Sequence, residues 1–373
     1  MLVRSLITLC TILFVAVPIS LGENLRIVKV GFLGSLTGPY AEISHRMIAG
    51  ARLALDECAG ELAERGAKFE LVVEDDGLCD PARTRTAIQK FTSIDRVDAI
   101  LVWAYSAAQP IRSALGKSAV PVIFAWDSNP GIDRMGENFY GTGPDAELAT
   151  RKIVEDIARD RMQRVGILAL TDEWVERVRG VLLKTAEEKR LHVTVDETLT
   201  PAVDDYRGAI LRAKQKSVDA LVVLGYSSTL VTILKQIRQV WPSVRIYTIG
   251  QPARDLRLLG AAGDGIIVVN GWVTGALADK LTSETLNPSQ EERSRDSPTD
   301  IVYNAYGYQG GVLVCRAVAS ALQARGSAPT SEALNAAIRQ LTFNIGLGEI
   351  SPGRSTQVGE SLLVWREGHF YKK

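Results

Sequence analysis

The sequence predicts an α/β fold made of two doubly wound parallel-sheet lobes joined by a multi-crossover hinge. Three observations predict it. Short apolar runs alternate with stretches of helical periodicity, the mark of parallel strands buried between crossover helices. The alternation starts twice, once at residue 26 and again after Gly143. The chain, at 373 residues, is too long for one typical core.

The elements follow in order. Residues 26–32 read as a buried strand, and a Gly-rich turn leads into a helix expected over 45–62. On that helix Ile48, Ala51, Leu55, Cys58 and Leu62 share one side. Strands are expected at 69–73, 99–102 and 120–124, with helices over 81–91 and 107–117 between them. The second series has strands at 165–170, 193–198, 220–224 and 245–249. Gly-rich segments near 141–145 and 270–275 follow strands and mark crossovers between lobes. Residues 279–299 are polar and charge-rich, a solvated loop or irregular helix, and 301–324 form a long helix. Residues 361–365 and 370–373 flank Glu367-Gly368 and read as a hairpin. The division expected is a first lobe of 23–143 plus 273–347 and a second of 144–272 plus 348–373.

The N-terminus has the form of a signal peptide over 1–22. Arg4 precedes an apolar run from Leu6 to Val17, and Ser20-Leu21-Gly22 supplies small residues before Glu23. The run is shorter than the roughly 20 apolar residues a spanning helix needs. The mature chain is therefore expected to be exported, soluble and periplasmic, in an oxidising compartment. Lys+Arg and Asp+Glu are both 43, which gives no basic excess for nucleic acid or an anionic membrane. Beyond Cys10 the cysteines are Cys58, Cys79 and Cys315, an odd set in which at least one is unpaired or pairs with another molecule.

Ligands of doubly wound sheets bind outside the carboxyl ends of the strands, so the loops after each strand are the candidate site. Trp103-Ala-Tyr-Ser-Ala-Ala-Gln-Pro110 opens a helix, with Ser106 as its expected N-cap and free N–H groups suited to a carboxylate. Tyr105 stands beside it. Ala125-Trp-Asp-Ser-Asn-Pro130 offers Trp126, Asp127 and Ser128, in a stretch that is also ordinary turn chemistry. From the second lobe Trp174, Tyr226 and Gln251 follow strands, and aromatics at such rims sandwich apolar ligand parts.

The opening Ile27-Val-Lys-Val-Gly-Phe-Leu-Gly-Ser-Leu-Thr-Gly-Pro-Tyr40, with Glu74-Asp-Asp-Gly-Leu-Cys-Asp-Pro81, resembles the start of type I periplasmic binding proteins, specifically the leucine/isoleucine/valine-binding group. The resemblance implies a solute-binding protein of an ABC importer, a monomer that hands a small ligand to membrane permease subunits. It implies that residues at the Ser106 and Ser128 positions clamp a ligand carboxylate, helped by backbone at Trp126, and that Trp174 and Tyr226 wall the pocket. Three departures matter. Ile43 stands where the group often has an aromatic. Gln251-Pro252 stands where an acid for the ligand ammonium belongs. Tyr105 stands where the disulfide partner of Cys79 belongs, so no intramolecular disulfide is expected. The ligand is then an amino acid, its ammonium met by Asp127, Asp172 or Glu173, or a small carboxylate without an ammonium.

Other signals carry less. His45, His192 and His369 lack metal-ligand spacing, so no metal or cofactor is expected. Gly225-Tyr-Ser-Ser-Thr229 lacks the second Gly of a nucleophile elbow, and Gly31-Phe-Leu-Gly34 fits no nucleotide fingerprint. Glu74-Asp75-Asp76 reads as a solvated, helix-capping turn. The expected function is solute binding without catalysis; a sensor of the same fold coupled to signalling is the alternative.

Overall fold

The computed structural model describes residues 25–38, 40–128, 130–201, 203–285, 299, 301–325, 329–352 and 357–373. The expected signal peptide and most of the polar stretch 279–299 lie outside the described residues. Strands β1 (Arg26–Gly34), β2 (Ala67–Asp75), β3 (Ala99–Val102), β4 (Val122–Phe124) and β5 (Phe139–Gly141) build a parallel sheet in the order β2-β1-β3-β4-β5. Helices α1 (Ala41–Glu57), α2 (Ala59–Glu64), α3 (Pro81–Gln89), α4 (Ala108–Leu115) and α5 (Pro130–Asp133) link them. The same scheme repeats with α6 (Ala146–Arg159), β6 (Arg164–Leu170), α7 (Glu173–Glu188), β7 (His192–Leu199), α8 (Arg207–Gln215), β8 (Ala220–Leu224), α9 (Ser227–Val240), β9 (Arg245–Ile249), α10 (Ala253–Arg257) and β10 (Ile267–Gly271).

The chain then returns to the first lobe. It runs through α11 (Ala276–Thr285), α12 (Val302–Arg325), α13 (Ser331–Gln340) and a small sheet of β11 (Phe343–Asn344), β12 (Gly348–Ile350) and β13 (Gln357–Val358). It ends in the hairpin β14 (Glu360–Arg366) and β15 (His369–Lys372), which extends the second sheet to the order β15-β14-β10-β9-β8-β6-β7. Ile350 and Val358 pack in the first lobe's core, so the chain joins the second sheet only at Glu360. Each sheet has a buried apolar cluster on either face, built from its strands and the helices over them.

Local chemistry explains the elements. Asp80 caps α3, accepting from the N–H groups of Ala82 and Arg83 at 3.1 and 2.8 Å, and Pro81 sits where no donor is needed. Asp145 caps α6 through Glu147 N at 2.8 Å. The side of α1 expected to be apolar is buried at Ile48, Ala51, Leu55 and Cys58, and Leu62 continues it on α2. The single helix expected there breaks at Cys58.

α1 packs along α12, and glycine makes the approach possible. A Cβ on Gly50 would lie 1.9 Å from Asn304 O, and one on Gly307 would lie 1.8 Å from Met47 O. This pairing corrects the thiol expectation: Cys58 and Cys315 form a disulfide, with Cα atoms 6.4 Å apart, while Cys79 remains a thiol. The returning helix α12 brings Cys315 to Cys58 at the end of α1. Among the described residues no helix is long and apolar enough to cross a membrane.

Candidate functional site

A cavity of about 190 Å³ lies between the lobes at the carboxyl ends of their strands. The first lobe contributes Tyr40, Leu78, Cys79, Trp103, Ala104, Tyr105, Ser106, Trp126 and Asp127. Asp172, Trp174, Gly225, Tyr226, Ile249, Gly250, Gln251 and Glu360 come from the second, and Pro144 and Ala146 from the first crossover. A dry cavity of about 150 Å³ accommodates benzene, so this space suits one small solute.

The crossover is held close to the rim. A Cβ on Gly143 would lie 2.2 Å from Asp127 N, and one on Gly141 would lie 2.4 Å from Ser128 Cα. Ser128 N donates to Pro144 O at 3.1 Å, fixing the loop after β4 against the crossover.

Asp172 is the polar centre of the second-lobe wall. It caps α7, with Trp174 N and Val175 N donating to its Oδ1 at 2.8 and 3.2 Å. Tyr226 O–H donates to Oδ2 at 2.7 Å. Burial, then the Asp172 charge, pushes the Tyr226 phenol far above its ordinary range. Ser106 Oγ donates across the cleft to Asp172 Oδ1 at 3.4 Å. The structure thereby corrects its expected capping role: Ser106 lies in a 3₁₀ turn (Tyr105–Ala107) and α4 has no side-chain cap.

A continuous row of rings walls the cavity. Tyr226 meets Tyr40 edge-on at 6.0 Å between centroids, Tyr40 meets Trp103 at 5.8 Å and Trp103 meets Trp126 at 6.1 Å. Tyr303 of α12 supports Trp126 from 5.0 Å. Trp103 Nε1 donates to Asp76 at 2.6 Å, and Asp76 also accepts from Leu78 N and Cys79 N at 3.1 Å each. Asp76 is thus fully buried rather than solvated, and burial raises its pKa. Burial likewise raises the Cys79 thiol well above its usual range, which makes it a poor nucleophile.

Asp127 is buried at the cavity wall. Glu360 joins it there, its carboxyl pushed up to about 8 by burial, with the Lys152 charge opposing and Asp145 and Asp127 adding to the rise. Gln251 is buried and donates to Gly225 O and Ile249 O at 3.1 and 2.7 Å, which ties two rim loops together. Contacts beside the cavity join the lobes: Arg254 pairs with Glu42 at 3.0 Å, and Tyr303 O–H reaches Gly250 O at 3.5 Å. These describe a closed cleft.

Of the residues named from sequence, Tyr105, Ser106, Trp126, Asp127, Trp174, Tyr226 and Gln251 meet at one cavity. Ser128 does not; its hydroxyl is buried behind the wall with no hydrogen-bond partner among the described residues. Tyr40, Cys79 and Glu360 escaped the sequence reading, and Trp103 entered it only as the start of its loop. Trp103 follows β3 and opens a loop that the sequence does single out, while Tyr40 lies after β1, where the rule that loops after strands carry sites would have found it. Glu360 arrives from the far end of the chain without a local signal. Among the described residues no group of three His, Cys, Asp or Glu is arranged to hold a metal.

A family model described as "Periplasmic binding protein" matches residues 27–361. The leucine-, isoleucine-, valine-, threonine- and alanine-binding protein of Pseudomonas aeruginosa is 24% identical over 258 residues, 68% of this chain and 64% of that protein. The match thus spans a little under two thirds of that relative. A leucine-binding protein from Thermotoga maritima superimposes with a TM-score of 0.80 at 16% identity, covering 93% of this chain and 97% of its own. A solute-binding protein of an ABC transporter from R. palustris, crystallised with 4-hydroxybenzoate, gives 0.78 at 17% identity over 93% and 96%. Both structural likenesses are likenesses of fold. With two parallel-sheet lobes closed over a small cavity, and a family match over nearly all of the described chain, this protein belongs to the periplasmic binding protein family.

Proposed function

We propose that the chain is the extracytoplasmic substrate-binding component of an ABC importer, exported by the segment 1–22 to the periplasm. It takes one small solute between its lobes as a monomer and presents the closed form to membrane permease subunits. The observation that carries this is the cavity itself: about 190 Å³, walled from both lobes. Contacts to a solute from both walls exist only when the lobes close, so binding shifts the population toward closure. The lobes are 23–143 plus 273–359 and 144–272 plus 360–373; the packing of Ile350 and Val358 in the first lobe's core supports moving the last boundary from the expected 347 to Gly359.

The relatives are named for amino acids, and one structural neighbour for 4-hydroxybenzoate. Here a solute that carries an amine has the better support. Asp127, Asp172 and Glu360 offer an ammonium carboxyl partners where Gln251 offers only an amide oxygen. A carboxylate anchor is weakly provided, because Ser128 is off the wall and Ser106 donates to Asp172. A thermal-shift screen of amino acids, amines and small carboxylates, followed by calorimetric titration, tests the proposal. One-to-one binding supports it; turnover of a bound compound, or no binding across the screen, overturns it.

A further inference from the structure

We propose that the solute this cleft selects is an organic cation, an amine or a cationic amino-acid derivative, rather than a neutral zwitterion or a carboxylate. The inference rests on the cleft being the solute site and names the ligand class for it.

Charge is the first ground. Among the described residues the cavity wall carries three carboxyl side chains, Asp127, Asp172 and Glu360, and no Lys, Arg or His. Lys152 of α6 bonds the Glu360 backbone carbonyl but is not on the wall. Arg177 of α7 is paired with Glu147 at 2.5 Å and stacks 6.0 Å from the outer Tyr105 ring. An anion entering here gives up its water and meets the Asp127 and Asp172 carboxylates in a medium of low effective dielectric; a cation meets partners that repay its desolvation, and it favours loss of the proton from Glu360, whose carboxyl burial has raised to about 8.

Donors are the second ground. An anion needs O–H and N–H groups aimed at it. Tyr226 and Ser106 turn their hydroxyls to Asp172, and the same carboxylate occupies the Trp174 and Val175 N–H groups of α7. The α7 start is thus closed to an anion, and N–H groups are still offered at the starts of α4 and α9, which have no side-chain cap.

The rings are the third. Tyr226, Tyr40, Trp103 and Trp126 form a row of neighbouring rings, each on the wall, and ring faces attract cations where they repel anions. Carboxylates at one part of a cavity and rings along another suit a positively charged group with an apolar body.

The test uses the mature full chain and two matched probe sets, titrated by calorimetry at pH 8. 4-Methylpentylamine, leucine and 4-methylpentanoate share one carbon skeleton as cation, zwitterion and anion at that pH. Benzylamine and benzoate do the same for one ring. The expected result is that 4-methylpentylamine or benzylamine binds at least about tenfold more tightly than its zwitterionic or anionic counterparts. Glu360→Gln and Asp127→Asn, each with wild-type circular dichroism, should each weaken the cation about tenfold or more. Tighter binding of leucine, 4-methylpentanoate or benzoate overturns the charge inference and leaves solute binding standing. Cation affinity unchanged in both folded variants also overturns it. No binding by any probe, and none in the broader solute screen, overturns both.

Discussion

The disulfide gives the sharpest stability prediction. Cys58 ends α1, Cys315 lies within α12, and 257 residues of sequence separate them. In the chain-entropy description a loop that long restricts the unfolded ensemble by about 5–6 kcal/mol, and removal of native disulfides typically costs about 2–5 kcal/mol. The pair of α1 and α12 stays packed without the bond, so the lower range is expected for Cys58→Ser with Cys315→Ser. For a chain of roughly 350 residues unfolding as one unit, a cost of about 2–3 kcal/mol should lower the melting temperature by roughly 3–4 °C. Solute affinity should be unchanged, because α1 carries Cys58 about 25 Å from the cleft end of the helix. The assays are thermal unfolding with and without reductant, and peptide mapping of the non-reduced protein. Three free thiols, or a wild type that melts no higher than the double variant, would refute the pairing and the return of α12 beside α1.

The other expectations are briefer. Gly307→Ala places a Cβ 1.8 Å from Met47 O and should force α1 from α12, lowering stability by roughly 1–3 kcal/mol in denaturant unfolding; an unchanged midpoint would refute the close approach. Ser106→Ala removes only a long 3.4 Å bond to Asp172, so solute affinity should change less than about fivefold; a hundredfold loss would restore the carboxylate clamp. Glu360 has a folded pKa raised to about 8, so the folded state holds a proton that the unfolded state has released over the range from the ordinary carboxylate value up to about 8. Stability from this group is therefore lost as pH rises across that window. Glu360→Gln should gain on the wild type in melting temperature between pH 5 and pH 8, and a constant difference would contradict the burial of the charge.

Much of this molecule is legible in its sequence, and the reasons are physical. Strands β3, β8 and β9 are short apolar runs bounded by helical periodicity, so their limits read directly. β5 has three residues and no period of its own, and only the Gly-rich crossover after it betrays a strand. The break between α1 and α2 at Cys58 leaves the apolar side continuous, and periodicity sees no interruption. The site was legible where loops follow strands, as at Trp126, Trp174 and Tyr226. It was not legible where tertiary return decides: Glu360 comes from the final crossing, and Cys315 from a helix whose neighbour the sequence does not name. Ser106 shows the other limit. A serine at a helix start reads as a cap, while here Asp172 of the facing lobe takes its hydroxyl.

Closure of two lobes over one solute is tested most directly by small-angle X-ray scattering of the mature chain, alone and saturated with the tightest solute from the calorimetric screen. The radius of gyration should fall on saturation, and the bound profile should match the closed form held by the Arg254–Glu42 pair and the Ser106–Asp172 bond. A solute that binds one to one and leaves the radius of gyration of an open form unchanged would contradict the account.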